Sequence, residues 1–335
     1  MQIRARTPGK LVILGEYVVL SGAPALVMAV DHHCSARIGP SPDSRCHLEI
    51  RTATSQALAF AAGTASGVGL VDLIVGETRA EDRPGAWSGL LDSSAFFSAG
   101  RKIGLGSSAA ALVAWAGAWA AFARSNGAAG APGPSVERLV ELHRAFQGGA
   151  GSGLDVAASL TGGVLSYELD ARRMPHISSV QLPNSVGFAG IFAGSPASTP
   201  DLVAHYHAWE SAQPAAAAKL KRALGRTAEL GRRAAREGNT DDFLAAVAEY
   251  GEGLDSLGKA MGAEIVTAEH RRIARAAADF GVVYKTSGAG GGDVGLALAV
   301  DPENLSAFTQ AVAQMGFRVV ELTIDEQGLI VEELQ

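Results

Sequence analysis

Gly104, Gly106, Ser107 and Ser108 stand together in "KIGLGSSA", directly ahead of fifteen uncharged residues, Ala109 to Ala123. Glycines let a backbone come close to a phosphate. A helix that starts at once points unpaired N–H groups and the positive end of its dipole at an anion. The two hydroxyls add groups that reach phosphate oxygens or Mg²⁺. The plainer reading is a tight turn with Ser107 as the helix cap, because short glycine patterns recur by chance. The stretch is not a Walker loop, since no Gly-Lys-Ser/Thr closes it, and its spacing differs from a dinucleotide fingerprint.

Three further stretches carry chemistry-bearing residues. "GSGLD" (151–155) sets Asp155 at a helix start. Such an acid stabilises the helix dipole, or it takes a proton from an attacking oxygen or holds a lysine that does related work. "SGAGGGD" (287–293) lies between two apolar runs. It reads as a flexible turn or as a backbone cradle for a phosphate or substrate. Lys10 in "TPGKLVILGEY" leads a hydrophobic strand; it is solvated, or partly desolvated and paired with a carboxylate. Glu16 and Tyr17 interrupt that strand, and the plain account has them facing solvent at a bulge.

The elements that must position these residues are legible in outline. Residues 3–38 read as strands, as does "CHLEIRT" (46–52). Residues 53–90 are rich in Gly and Ala and fit no single pattern, and "AEDRPGAWSGLLDSS" (80–94) is a candidate flap over a ligand. A helix is predicted over 107–125, another over 135–148 with Ser135 as its N-cap, and a short one after the second glycine loop. "VLSYEL" reads as a strand. Residues 183–200 read as a hinge. Beyond it come Ala-rich helix (201–238), helices near 240–260 and 264–279, strand–turn–strand around the third glycine loop, helix at "NLSAFTQAVAQMG", and a closing strand at "RVVELTI". The second half therefore suits an α+β layer.

The chain has 335 residues, 47% hydrophobic and 19% charged, which is globular composition with length for a sizeable core. The net charge of -6 and the lack of a long basic run argue against nucleic acid as a partner. A local pocket can still be positive and take an anionic substrate. Fifteen residues from Ala109 are too few for a spanning helix, which needs about 20, so a buried helix is expected and no membrane partner. Cys34 and Cys46 show no metal-like spacing and suit reduced thiols in a cytoplasmic protein. No signal peptide pattern is visible.

In their order, "PGKLVILGEYVVL", "KIGLGSSAAALV", "GSGLDVAAS" and "KTSGAGGGDVGLAL" resemble the GHMP superfamily of sugar and small-molecule kinases, from Pro8 to about Leu298. Within it they most resemble the phosphomevalonate kinases. "GEY" stands where mevalonate kinases have Gly-Glu-His. Lys102 stands where most relatives have a small residue. "HRAFQGGAGSGLDVAAS" (143–159) and "SGAGGGDVGLAL" are similar to that branch.

The resemblance implies an α+β, two-domain GHMP kinase fold. Residues 1–182 would form a nucleotide-binding domain of the ribosomal-protein-S5 type and 183–335 a ferredoxin-like domain, with the active site between them. It implies phosphoryl transfer from ATP, with Mg²⁺, to 5-phosphomevalonate, in a monomer or homodimer. By carry-over, Lys102, Gly104, Leu105, Gly106, Ser107, Ser108 and Ala109 hold the nucleotide, and Ser108 binds Mg²⁺. Lys10 and Asp155 are catalytic and pair with one another. Lys10, Glu16 and Tyr17, Ser152 and Gly153, and Ser287, Gly288, Ala289, Gly290 and Asp293 face the substrate. An extra substrate phosphate asks for extra cations: Lys102 first, then Arg101, Arg144 and His143. One departure stands out. Mevalonate kinases carry a Glu for Mg²⁺ on the helix before the second glycine loop; here the nearest acid, Glu141, is out of register. Competing readings are a GHMP kinase with a hydroxyl acceptor such as mevalonate, the decarboxylase branch of the fold, an inactive binding protein, and loops that are only structural.

Overall fold

The computed structural model describes residues 1–128, 130–149, 151–194 and 199–334. Its strands are β1 (Gln2–Leu14), β2 (Ala25–Pro40), β3 (Arg45–Arg51), β4 (Ser55–Ala61), β5 (Trp87–Asp92), β6 (Phe97–Ser98), β7 (Arg101–Lys102), β8 (Val164–Leu169), β9 (Pro175–Val180), β10 (Gly187–Phe192), β11 (Val283–Thr286), β12 (Val294–Ala299), β13 (Arg318–Val320) and β14 (Ile330–Leu334). The helices are α1 (Gly69–Gly76), α2 (Ser107–Ser125), α3 (Val136–Phe146), α4 (Leu154–Thr161), α5 (Thr199–Ala212), α6 (Pro214–Glu237), α7 (Thr240–Met261), α8 (Ala268–Asp279) and α9 (Pro302–Gln314). This is an α+β fold with two main sheets.

The larger sheet runs β14-β1-β2-β5-β3-β4, with β8 on β2 and β9 on β8. Helix α2 lies on it, and 14 of its 19 residues are buried, so it is a core helix apolar on every side. Trp115 packs against Gly89 of β5, where a Cβ would sit 2.7 Å from the indole. No helix among the described residues is long and apolar enough to cross a membrane. Ser135 caps α3 as its position predicts, accepting from the Arg138 N–H. Cys34 and Cys46 are both free and buried.

The smaller sheet is antiparallel, in the order β11-β12-β10-β13. One apolar cluster joins it to α8 and α9 through Ile191, Ile273, Ala297 and Phe308. Here the expected hinge is corrected. Residues 187–192 are an interior strand, paired with both β12 and β13. Its two glycines hid it, and Gly190 is needed because a Cβ there would lie 2.8 Å from Leu322. Residues 195–198 of that stretch lie outside the described residues. The candidate flap at 80–94 is corrected too: it contains β5, held between β2 and β3. The closing strand ends at Val320. The chain then returns to the larger sheet, where β14 pairs with β1 and the Asp325 carboxylate meets His33 Nε2 at 2.6 Å. The segment 183–335 therefore contributes to both sheets.

Candidate active site

A cleft of about 510 Å³ gathers all three glycine loops, Lys10, Glu16 and Tyr17, a size suited to a small-molecule ligand. Its floor is the start of α2. The helix cap is Gly106, at φ 82°, and no side chain satisfies the first N–H groups. Ser107 is thus the first helical residue rather than the cap. Gly104, at φ 86°, turns the chain into this approach. Leu105 and Ala109 are 1% and 0% exposed, so their side chains serve the core and only their backbone can face a ligand.

Lys10 enters from β1. Its N–H donates to the Leu105 carbonyl at 2.8 Å and its ammonium reaches the Gly104 carbonyl at 3.4 Å. A Cβ on Gly288 would lie 3.4 Å from Lys10 Nζ, which sets this lysine between the first and third glycine loops. Asp155, in the first turn of α4, also lines the cleft. The expected Lys10–Asp155 pair is absent among the described residues. Asp155 faces His143 instead, with Oδ1 3.8 Å from Nδ1, and accepts from the Val156 N–H.

His143, expected as an extra cation for a substrate phosphate, instead links parts of the site. It is 2% exposed, with Nε2 3.2 Å from Ser108 Oγ, so α2, α3 and α4 meet in a Ser108–His143–Asp155 chain. That geometry makes it a bridge inside the site rather than a free cation. Spacing in "ELHRAFQ" puts it in the last turn of the helix that precedes the second glycine loop, but its contacts lie 35 and 12 positions away. Glu141 is engaged by Arg138 and turned outward, consistent with an acid out of register.

Two other expected cations serve the scaffold. Arg144 donates to the carbonyls of Gly151, Ser152 and Arg173, bracing the second glycine loop, and burial lowers its pKa. Arg101 donates to the Gly194 carbonyl. Lys102 is exposed and lines the cleft; with Lys10 it supplies the cleft's cations among the described residues. Tyr167 donates to the Ser152 carbonyl at 2.7 Å. Gly153 lies so close to Val140 that a Cβ would sit at 2.5 Å.

The plain account of Glu16 and Tyr17 as a solvent-facing bulge is corrected, while both line the cleft. Glu16 does not face solvent: it is 4% exposed and accepts from Lys285 Nζ at 2.5 Å. Tyr17 is equally buried, and its hydroxyl donates to the Ala289 carbonyl; burial, then the Glu16 charge, pushes its pKa up. The Ser287 hydroxyl donates to the Val12 carbonyl and accepts the Val12 N–H, both at 2.9 Å, so it is spent on β1. Gly290, at φ 85°, admits no side chain, since a Cβ would lie 2.4 Å from the Ile265 carbonyl oxygen. Asp293 abuts Gly104, bringing the first and third loops into contact. Lys285 carried no signal in the sequence, because its partner lies 269 positions away.

A glycine loop opening an uncapped helix, with lysines at its lip, is an arrangement that can take an anion. No protein-family model matches the chain. It is 32% identical over 344 residues to a phosphomevalonate kinase of Streptomyces sp. strain CL190, spanning 87% of this chain and 88% of that protein. A mevalonate kinase of Thermococcus sibiricus is 26% identical over 362 residues, spanning 100% of this chain and 99% of that one. The fold matches the solved Streptococcus pneumoniae phosphomevalonate kinase in complex with phosphomevalonate and AMPPNP, at a TM-score of 0.79 and 20% identity over 96% of this chain and 99% of that one. The chain belongs to the GHMP kinases. It is thus an ATP-dependent kinase, and its named relatives act in the mevalonate pathway.

Proposed function

We propose that the protein is a phosphomevalonate kinase, moving the terminal phosphoryl group of ATP onto the phosphate of 5-phosphomevalonate to give 5-diphosphomevalonate and ADP. The observation that carries this is the pair of lysines, Lys10 and Lys102, in one cleft with the uncapped α2 N-terminus. Two phosphate groups need two sources of positive charge beyond the helix. Phosphoryl transfer is mostly positioning and charge neutralisation. A phosphate acceptor is already largely ionised near neutral pH, so no base has to be held against it. Lys10 on the Gly104 carbonyl and Asp155 beside His143, with no ion pair between the two among the described residues, suit that acceptor better than an alcohol.

In this reading the α2 N–H groups, Ser107 and Ser108 hold the nucleotide phosphates. Lys10 neutralises charge on the transferred group, and Lys102 meets the acceptor or nucleotide phosphate. Ser108 and Asp155 are oxygen donors of the kind Mg²⁺ takes, and among the described residues no cluster of three metal-binding acids or histidines exists to enclose it. Such a site suits a cation that keeps its water and phosphate ligands. When bound, Mg²⁺ neutralises the phosphate oxygens. His143 stands between these two oxygen donors, with Nε2 3.2 Å from the Ser108 hydroxyl and Nδ1 3.8 Å from Asp155 Oδ1, and so helps fix where both side chains sit in the cleft.

The test is ADP release from ATP and Mg²⁺ with 5-phosphomevalonate and mevalonate side by side. Turnover with the first alone supports the reading, and turnover with mevalonate alone replaces it with the hydroxyl-acceptor kinase. Asp155→Asn tests the role of the acid: near-full turnover in that variant would remove Asp155 from the chemistry.

A further inference from the structure

Gly15, Glu16 and Tyr17 link β1 to the helical turn Val18–Ser21. Tyr17 sits at φ 64° and ψ -51°, and the Val18 N–H donates to the Glu16 carbonyl at 2.7 Å. That is a γ-turn with positive φ at its centre, a rare and strained conformation for a residue with a side chain. Such strain persists only where the surroundings over-determine it.

Four contacts do so, all from the second half of the chain. Lys285 Nζ and the Gly288 N–H donate to Glu16 Oε1, at 2.5 and 3.3 Å. The Tyr250 hydroxyl donates to the Glu16 carbonyl at 2.7 Å. The Tyr17 hydroxyl donates to the Ala289 carbonyl at 2.6 Å. The Lys285 ammonium also lies 5.9 Å above the Tyr250 ring. The side chains of Lys285 and Glu16 are 0% and 3% exposed. Burial lowers the Lys285 pKa, and Glu16 opposes that shift.

A buried ion pair is poor evidence of stability, because an apolar pair of similar volume often serves as well. What this pair holds matters more. Gly288 and Ala289 belong to the third glycine loop, and Gly288 lies against Lys10. Resting on the kinase reading, we infer that the Glu16–Lys285 pair and the Tyr17 γ-turn form a clasp that registers the loop 287–293 against Lys10, and that Lys285 is a positioning residue for phosphoryl transfer. Its role is exerted through Glu16 and the loop backbone.

The test uses Lys285→Met, the charge-free double variant Glu16→Leu/Lys285→Met, and Tyr17→Phe. Thermal stability, amide hydrogen exchange over 284–293, and kcat with separate KM values are measured in each. Lys285→Met alone strands a buried carboxylate and lowers Tm. The double variant recovers Tm, yet exchanges its loop amides faster and loses about 10- to 100-fold in kcat, with KM for ATP unchanged. Tyr17→Phe moves exchange and kcat the same way by less. A double variant with wild-type stability, exchange and kcat overturns the proposal. So does Tyr17→Phe with unchanged exchange, should the double variant not fold. If wild-type protein turns over neither acceptor, the kinase reading fails, and loop exchange still decides the clasp: lost protection supports it, unchanged protection overturns it.

Discussion

Gly104→Ala puts the meeting of the first and third glycine loops to a direct test. Gly104 has φ 86°, and a side chain in the left-handed region costs about 1–2 kcal/mol. The new methyl would also lie 2.7 Å from Asp293 Cβ and 2.8 Å from its Cγ. Carbon atoms settle at about 3.5–4.0 Å, so the loops must part by about 1 Å. Asp293 cannot swing clear, because its Cβ is fixed to backbone leading into the fully buried strand β12. A shift of about 1 Å in a site that works by positioning costs about 100-fold in rate, equivalent to about 2.7 kcal/mol. Steady-state ADP release, nucleotide affinity and Tm are compared with Gly262→Ala. Gly262 has φ 65° and nothing within 4 Å of a Cβ, so that variant carries the backbone strain alone. Both variants should lose Tm, and only Gly104→Ala should lose kcat. A Gly104→Ala protein with near wild-type kcat and a Tm loss like that of Gly262→Ala would show that the loop contact is not needed.

Two more expectations follow from single side chains. Lys102→Ala should raise KM for the phosphorylated acceptor or for ATP by about tenfold, with the difference shrinking as salt rises, as for an exposed point charge on a phosphate; both KM values unchanged would send Lys102 back to the surface. His270 is 1% exposed, its Nδ1 is 2.7 Å from the Tyr284 hydroxyl, and burial lowers its pKa from 6.5 to about 4. The unfolded chain takes up that proton near 6.5 and the folded chain only near 4, so this contribution is complete above pH 6.5 and lost as pH falls. Denaturant unfolding at pH 7.5 and 4.5 should show wild-type protein losing about 2.5 kcal/mol more than His270→Gln.

The parts of this molecule visible in its sequence are those made by neighbours in the chain. The bounds of α2, the Ser135 cap and the three glycine loops all follow from local preference. The misread parts depend on distant partners. β10 looked like a hinge because its Gly190 is set by packing against the distant Leu322, and β5 looked like a flap because its burial comes from β2 and β3. Lys10 and Asp155 were paired on the resemblance, but the backbone holds Lys10 on the Gly104 carbonyl and α3 supplies His143 to the acid. Glu16 read as a surface break because no local pattern announces a lysine 269 residues on.

The return of β14 to β1 bears on how the chain is made. Gln2 to Arg6 pair on that side only with Leu334 to Ile330, and Leu329 and Val331 press on Gly117 of α2. During synthesis that edge of the larger sheet, and the groove beside α2, stay open until residues 329–334 have left the ribosome. An open edge beside apolar surface invites pairing with another chain. The nascent protein therefore keeps that edge open after all three glycine loops have been translated.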